Sequence, residues 1–111
     1  MEFSITEYKH CDLIEISGRI DSYTSPAIEE VLKALMADGH YKMVIDLKNV
    51  TYLSSSGMLT LVNAQKQCKR HNQGEILLAH VSDQVLASLG LAGFNQLFEI
   101  HDDVVTAVGK F

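Results

Sequence analysis

Tryptophan is absent from the 111 residues, proline occurs once, at Pro26, and there are only two cysteines, Cys11 and Cys68. One proline leaves no Pro-rich linker or ligand segment. Two cysteines without a C-x-x-C pair exclude a disulfide framework and a cysteine-based zinc motif, so reduced thiols are expected. No apolar run approaches the 18 residues that a membrane span needs. The opening "MEFSITEYKH" is acidic and alternating, without the basic start and apolar stretch of a signal peptide. The expectation is therefore a cytoplasmic chain with no membrane insertion. Basic residues are also scarce, 9 against 14 acidic ones, for a net charge of −5, which argues against nucleic acid as a partner.

Nucleotide and metal signatures are missing as well. Neither GxGxxG nor GxxxxGK[ST] occurs, so no loop is expected to cradle phosphates. The histidines, His10, His40, His71, His80 and His101, include no pair at i, i+4 and none at ligand spacing from a cysteine. No cofactor and no metal site are expected.

What is present is a globular mixture, 47% apolar and 21% charged, in a length that suits one domain over residues 1–111. "FSITEY" and "CDLIEISGRI" read as two strands joined by a tight turn at Lys9 and His10. "SPAIEEVLKALMADG" reads as a helix with Ser25 as N-cap, Pro26 at its first position and Gly39 closing it. Ile28, Val31, Leu32, Leu35 and Met36 share its apolar face. "YKMVIDL", nearly all apolar from Met43 to Leu47, predicts a strand buried on both faces, and "EILLAHV" a second.

A second helix is expected from about Gly57 to His71, with Met58, Leu61, Val62, Ala64 and Cys68 turned inward and Asn72, Gln73 and Gly74 ending it. Ser82 caps a third helix carrying Val85, Leu86 and Leu89 that stops near Gly90. A short edge strand follows near Leu97 to Ile100. Asp102 or Asp103 then opens a last helix through Val104, Val105 and Val108. The order β-β-α-β-α-β-α-β-α predicts an α/β fold: a mixed four- to five-stranded sheet with about four helices packed on it.

The segment "TYLSSSGML", residues 51–59, stands out. Serine at a strand-to-helix turn is favoured because its oxygen accepts a free backbone N–H, so one of the three is read as a cap. A serine hydrolase needs GxSxG at such an elbow, and here Leu53 stands where the first glycine belongs. The remaining possibility is a modification switch. A phosphate beside a helix N-terminus is stabilised by free amides and the helix dipole, so the fold survives it. A partner lying flat over that helix end would meet nearly two new negative charges. Lys66, Lys69, Arg70 and His71 lie where cations complement the C-terminal end of a helix.

Three stretches carry a family resemblance: "GRID" at 18–21, "MVIDLKNVTYLSSSGM" at 43–58 and "GLAGFNQLFEI" at 90–100. Together they resemble the STAS domain in its anti-sigma factor antagonist branch, over essentially the whole chain. Typical members carry G-[DE]-[IL]-D, then DLS-x-V-x-[YF]-[ML]-D-S-[SAT]-G-L, then G-L-x-x-[LI]-F. The resemblance implies a single STAS domain that is not an enzyme. It places the phosphorylated serine at Ser55, with Ser54, Ser56, Gly57 and Met58 around it and Asp21 beside it on the partner surface.

The implied function is partner switching. The unphosphorylated protein sequesters an anti-sigma factor serine kinase, phosphorylation releases it, and a PP2C-type phosphatase resets the cycle. The family aspartate before the phosphoserine is Ser54 here, Arg19 replaces a common acidic residue, and Leu59 a frequent small one. An exposed Leu59 would enlarge an apolar patch, and a buried one would join the core. Two other readings are a STAS regulatory subunit of a transporter or signalling scaffold without phosphorylation, and a small serine hydrolase.

Overall fold

The computed structural model describes residues 1–71 and 73–111. The expectation that Asn72 helps end the second helix lies outside them. Strands β1 (Glu2–Glu7) and β2 (Asp12–Ile20) form an antiparallel hairpin whose turn is closed by Tyr8 N–H donating to Cys11 C=O at 2.8 Å. Helix α1 (Ser25–Ala37) leads to β3 (Lys42–Leu53), α2 (Ser55–Lys69) and β4 (Glu75–Ala79). Then come α3 (Asp83–Leu91), a 3-10 turn at Asn95–Leu97, β5 (Glu99–His101) and α4 (Val104–Lys110). The sheet order is β1-β2-β3-β4-β5, with every pair after the first hairpin parallel. Five strands and four helices among the described residues make the expected mixed α/β architecture.

Both faces of the sheet are covered. On one, Ile14, Ile16, Met43, Ile45, Ile76 and Leu78 pack under Ile28, Leu32 and Leu35 of α1, Leu61 and Cys68 of α2, and Leu89 of α3. On the other, Leu13, Val44, Leu77 and Ala79 meet Ala107 of α4, flanked by Val104, Val108 and Phe111. Alternate residues of β3 and β4 therefore enter opposite cores, which is why their sequences are almost wholly apolar. Each fully buried aliphatic side chain contributes about 1.5–3 kcal/mol. Among the described residues no helix is long and apolar enough to cross a membrane.

Several boundaries differ from expectation. Strand β3 runs on to Leu53 rather than stopping at Leu47, because its second half pairs with the end of β2 through two register shifts. Ser25 is not the cap of α1. Thr24 holds that position without a capping bond, and Ser25 is buried with its hydroxyl donating to Asp21 C=O at 2.6 Å. Asp38 is the C-cap, and Gly39 follows it at φ +83. Gly39 N–H donates to Met36 C=O and His40 N–H to Leu35 C=O, the paired bonds of a Schellman turn, for which the left-handed glycine is needed.

Helix α2 begins at Ser55, two residues before Gly57, and α3 reaches Leu91. Leu97 belongs to the 3-10 turn and the last strand starts at Glu99. Of the apolar residues named for these two helices, Leu86 and Val105 are exposed, since short α3 and α4 each bury only a narrow stripe. Ser82 and Asp103 do cap their helices, accepting from Val85 N–H at 3.2 Å and Thr106 N–H at 2.7 Å.

Candidate functional site

The serine segment sits at the C-terminal edge of the parallel strands, where β3 turns into α2. Ser54 is the N-cap. Its backbone is extended (φ −80, ψ 170), and its hydroxyl oxygen accepts from Gly57 N–H at 3.1 Å. Its carbonyl accepts from Met58 N–H at 2.9 Å, which starts the helix. Serine and aspartate are nearly equivalent caps, so Ser54 performs the capping role of an aspartate without its charge. The Ser54 and Ser56 hydroxyls lie 3.0 Å apart and bond to each other. Ser55 is exposed at the first helical position, and among the described residues its hydroxyl has no side-chain hydrogen bond.

Gly57 fixes the approach of this turn to the sheet. A Cβ there would lie 2.5 Å from Ile20 Cγ2 and 2.9 Å from Leu53 Cδ1. Only glycine lets the helix start so close to the end of β2. The same approach allows Ser54 N–H to donate to Ile20 C=O at 2.8 Å. Met58 is buried against the core, so it supports the turn from below, while Leu59 is 49% exposed. The open question about Leu59 thus resolves towards the surface.

Asp21 follows Ile20 directly and so lies beside this turn. Its carboxylate is committed to its own loop, with Oδ1 accepting from Tyr23 N–H at 3.0 Å, Thr24 N–H at 3.2 Å and the Thr24 hydroxyl at 3.3 Å. Partial desolvation pushes its pKa upward. The Tyr23 and Thr24 amides, the Thr24 hydroxyl and the Arg19 charge outweigh that and hold it below the usual carboxylate value. Asp21 is therefore ionised at neutral pH. Arg19 Nε lies 3.7 Å from Asp21 Oδ2, and its guanidinium sits 4.4 Å from the centroid of the Tyr52 ring, its cross-strand partner.

Sequence reasoning missed two members of the surface. Tyr52, half-exposed, and Leu91, 92% exposed, line a shallow depression of about 370 Å³ together with Ser54, Ser55, Met58 and Ser88. The signal for Leu91 was obscured because Gly90 marks an apparent helix end one residue too early. The surface thus combines an unengaged hydroxyl, apolar side chains and a nearby carboxylate. Among the described residues no histidine or carboxylate hydrogen-bonds any of the three serine hydroxyls, so nothing there acts as a base for a nucleophile. Lys66, Lys69, Arg70 and His71 lie exposed around the far end of α2, with the His71 ring stacked on Tyr41 at 3.6 Å.

Comparison with known proteins agrees with this arrangement. The family model of the STAS domain matches residues 2–107. An anti-sigma-B factor antagonist of Listeria monocytogenes is 30% identical over 100 residues, covering 90% of this chain and 86% of the relative. One from Staphylococcus aureus is 29% identical over 89 residues, covering 80% and 82%. The crystal structure of an anti-sigma factor antagonist from Mycobacterium paratuberculosis superposes with a TM-score of 0.88 at 22% identity, covering 98% of this chain and 92% of that one. These relatives are named as anti-sigma factor antagonists, which are regulatory binding proteins rather than enzymes. From Glu2 to Ala107, in sequence and in fold, it belongs to the STAS domain family.

Proposed function

We propose that the chain is an anti-sigma factor antagonist that works as a phosphorylation-controlled partner switch. Unphosphorylated, it sequesters an anti-sigma factor serine kinase through the surface around the start of α2. Transfer of a phosphoryl group from the kinase's ATP to Ser55 Oγ ends the complex, and a PP2C-type phosphatase hydrolyses the ester to restore binding. The observation that carries this reading is the position of Ser55: an exposed hydroxyl with no side-chain hydrogen bond among the described residues, at the first residue of a 15-residue helix, on the rim of a depression that Tyr52, Met58 and Leu91 also line.

The physics favours a switch that spares the fold. Ser54 caps only the Gly57 amide, so the amides of Ser55 and Ser56 remain available to an anion, and the helix dipole has the right sign. The same dianion is costly for a partner. It must be desolvated against Tyr52, Leu59 and Leu91, and it adds to the charge of ionised Asp21. The test is to incubate the chain with its cognate kinase and ATP and map the product by mass spectrometry. Phosphate on Ser55, lost in Ser55→Ala but kept in Ser54→Ala, supports the reading. Equal phosphorylation of Ser55→Ala would refute the site.

A further inference from the structure

At the opposite end of the parallel strands, Glu7, Asp12 and His40 converge from three different segments: the end of β1, the start of β2 and the turn after α1. One ligand atom from each lies within 4.8 Å of the other two. Asp12 is the unusual member. It is 3% exposed at the start of β2, next to buried Leu13 and Ile14, and its Oδ2 lies 2.8 Å from His40 Nδ1. A carboxylate so buried needs a compensating positive charge or donor, and here the imidazole supplies it. Asp12 and His40 line an open depression of about 230 Å³, which has room for a hydrated ion.

We propose that Glu7, Asp12 and His40 form a site for a zinc-class divalent cation. The cation takes the place of the proton shared by His40 and Asp12. One imidazole nitrogen and two carboxylates suit zinc and its neighbours better than calcium, which needs six to eight oxygens. At metal–ligand distances near 2.0–2.2 Å, ligand atoms in a tetrahedron lie roughly 3.3–3.6 Å apart. The Asp12–His40 pair, now 2.8 Å apart, opens to that spacing as the cation replaces the shared proton, and rotation of exposed Glu7 brings in the third ligand.

The site is separate from the serine surface, so it acts as a clamp that fastens the β1–β2 hairpin to the turn between α1 and β3. Binding expels the His40 proton and therefore strengthens as pH rises from 6 to 8. The charged and titratable groups facing it are Tyr8, Lys9, His10 and Cys11 on the hairpin turn, Asp38 at the end of α1, Tyr41 just before β3 and Lys42 at its start.

Zinc chloride titrated into the full chain, followed by histidine-ring and amide NMR, tests this. The expected result is one equivalent bound, with shifts centred on His40, Glu7 and Asp12. Affinity falls roughly tenfold or more in Glu7→Gln and in His40→Gln, and falls in the wild type at pH 6. Glu7 is exposed, so Glu7→Gln keeps the fold and decides the matter even if His40→Gln does not fold. Shifts centred on His71, His80 or His101, or unchanged affinity in Glu7→Gln, would overturn the site. Displacement of zinc by equimolar magnesium or calcium would overturn its chemical class.

Discussion

The amide of Ser54 donates to the carbonyl of Ile20 at 2.8 Å, tying the first turn of α2 to the end of β2. Asp21 is the first residue after that strand, so a single backbone bond registers the carboxylate loop against the serine segment. Gly57 makes the bond possible, since a side chain at that position would push the helix away from Ile20 and Leu53.

Replacing Gly57 by alanine therefore overpacks the junction. The added methyl has no room against the Ile20 side chain or carbonyl. The expected loss of stability is about 1–3 kcal/mol in urea unfolding. The NMR shifts of Ile20, Asp21 and Ser54 should move with it, and unchanged stability would mean that the junction gives way more easily than its geometry implies.

Ser54 and Ser55 should part company in stability measurements. Ser54→Ala removes the cap on the Gly57 amide and should cost about 0.5–2 kcal/mol. Ser54→Asp keeps the cap and adds a favourable charge at the helix N-terminus, so it should be at least as stable as the wild type. Ser55→Ala breaks no side-chain hydrogen bond among the described residues and should be nearly neutral. Urea midpoints of the three variants check this ordering.

Gln65 is a second structural anchor, 3% exposed on α2. Its Nε2 donates to Ile76 C=O at 3.0 Å and Leu97 C=O at 2.9 Å, and its Oε1 accepts from Ile76 N–H at 2.7 Å. Gln65→Leu leaves these buried backbone groups unpaired and should cost roughly 2–4 kcal/mol. Hydrogen exchange should accelerate at Ile76 and around the 3-10 turn.

The Asp12–His40 contact makes stability depend on pH. The hydrogen bond to Asp12 is the main cause that raises the His40 pKa above 6.5, with the charges of Asp12, Glu7 and Asp38 adding to it against partial desolvation. A raised folded-state value means that the imidazolium stabilises the native state fully below about pH 6.5. That contribution disappears as pH climbs through the folded pKa. Urea midpoints measured in metal-free buffer from pH 5.5 to 8.5 should fall across this window in the wild type and flatten in His40→Gln.

The architecture was legible because its signals are local and agree with one another. Doubly apolar β3 and β4, the periodic face of α1, and the caps Ser82 and Asp103 each announce their element. The serine segment was legible as a strand-to-helix turn for the same reason. What stayed hidden depends on contacts distant in sequence. The extension of β3 to Leu53 follows from bulged pairing with β2, and the buried role of Ser25 follows from the Asp21 loop. Asp12 and His40 are 28 residues apart, so no spacing rule joins them. Gln65 looks like a surface residue of a polar helix until β4 and the 3-10 turn close over it. Tyr52 and Leu91 meet beside Ser55 only because α3 folds back towards the end of β3.

The most direct test of the partner switch is the affinity of the cognate kinase for two forms of the chain: unmodified, and carrying phosphoserine introduced at position 55 during synthesis. The account predicts tight binding by the unmodified form and at least about a hundredfold weaker binding by the phosphorylated one, a difference of about 2.8 kcal/mol. The native fold should be retained in both. Equal affinity of the two forms would contradict it.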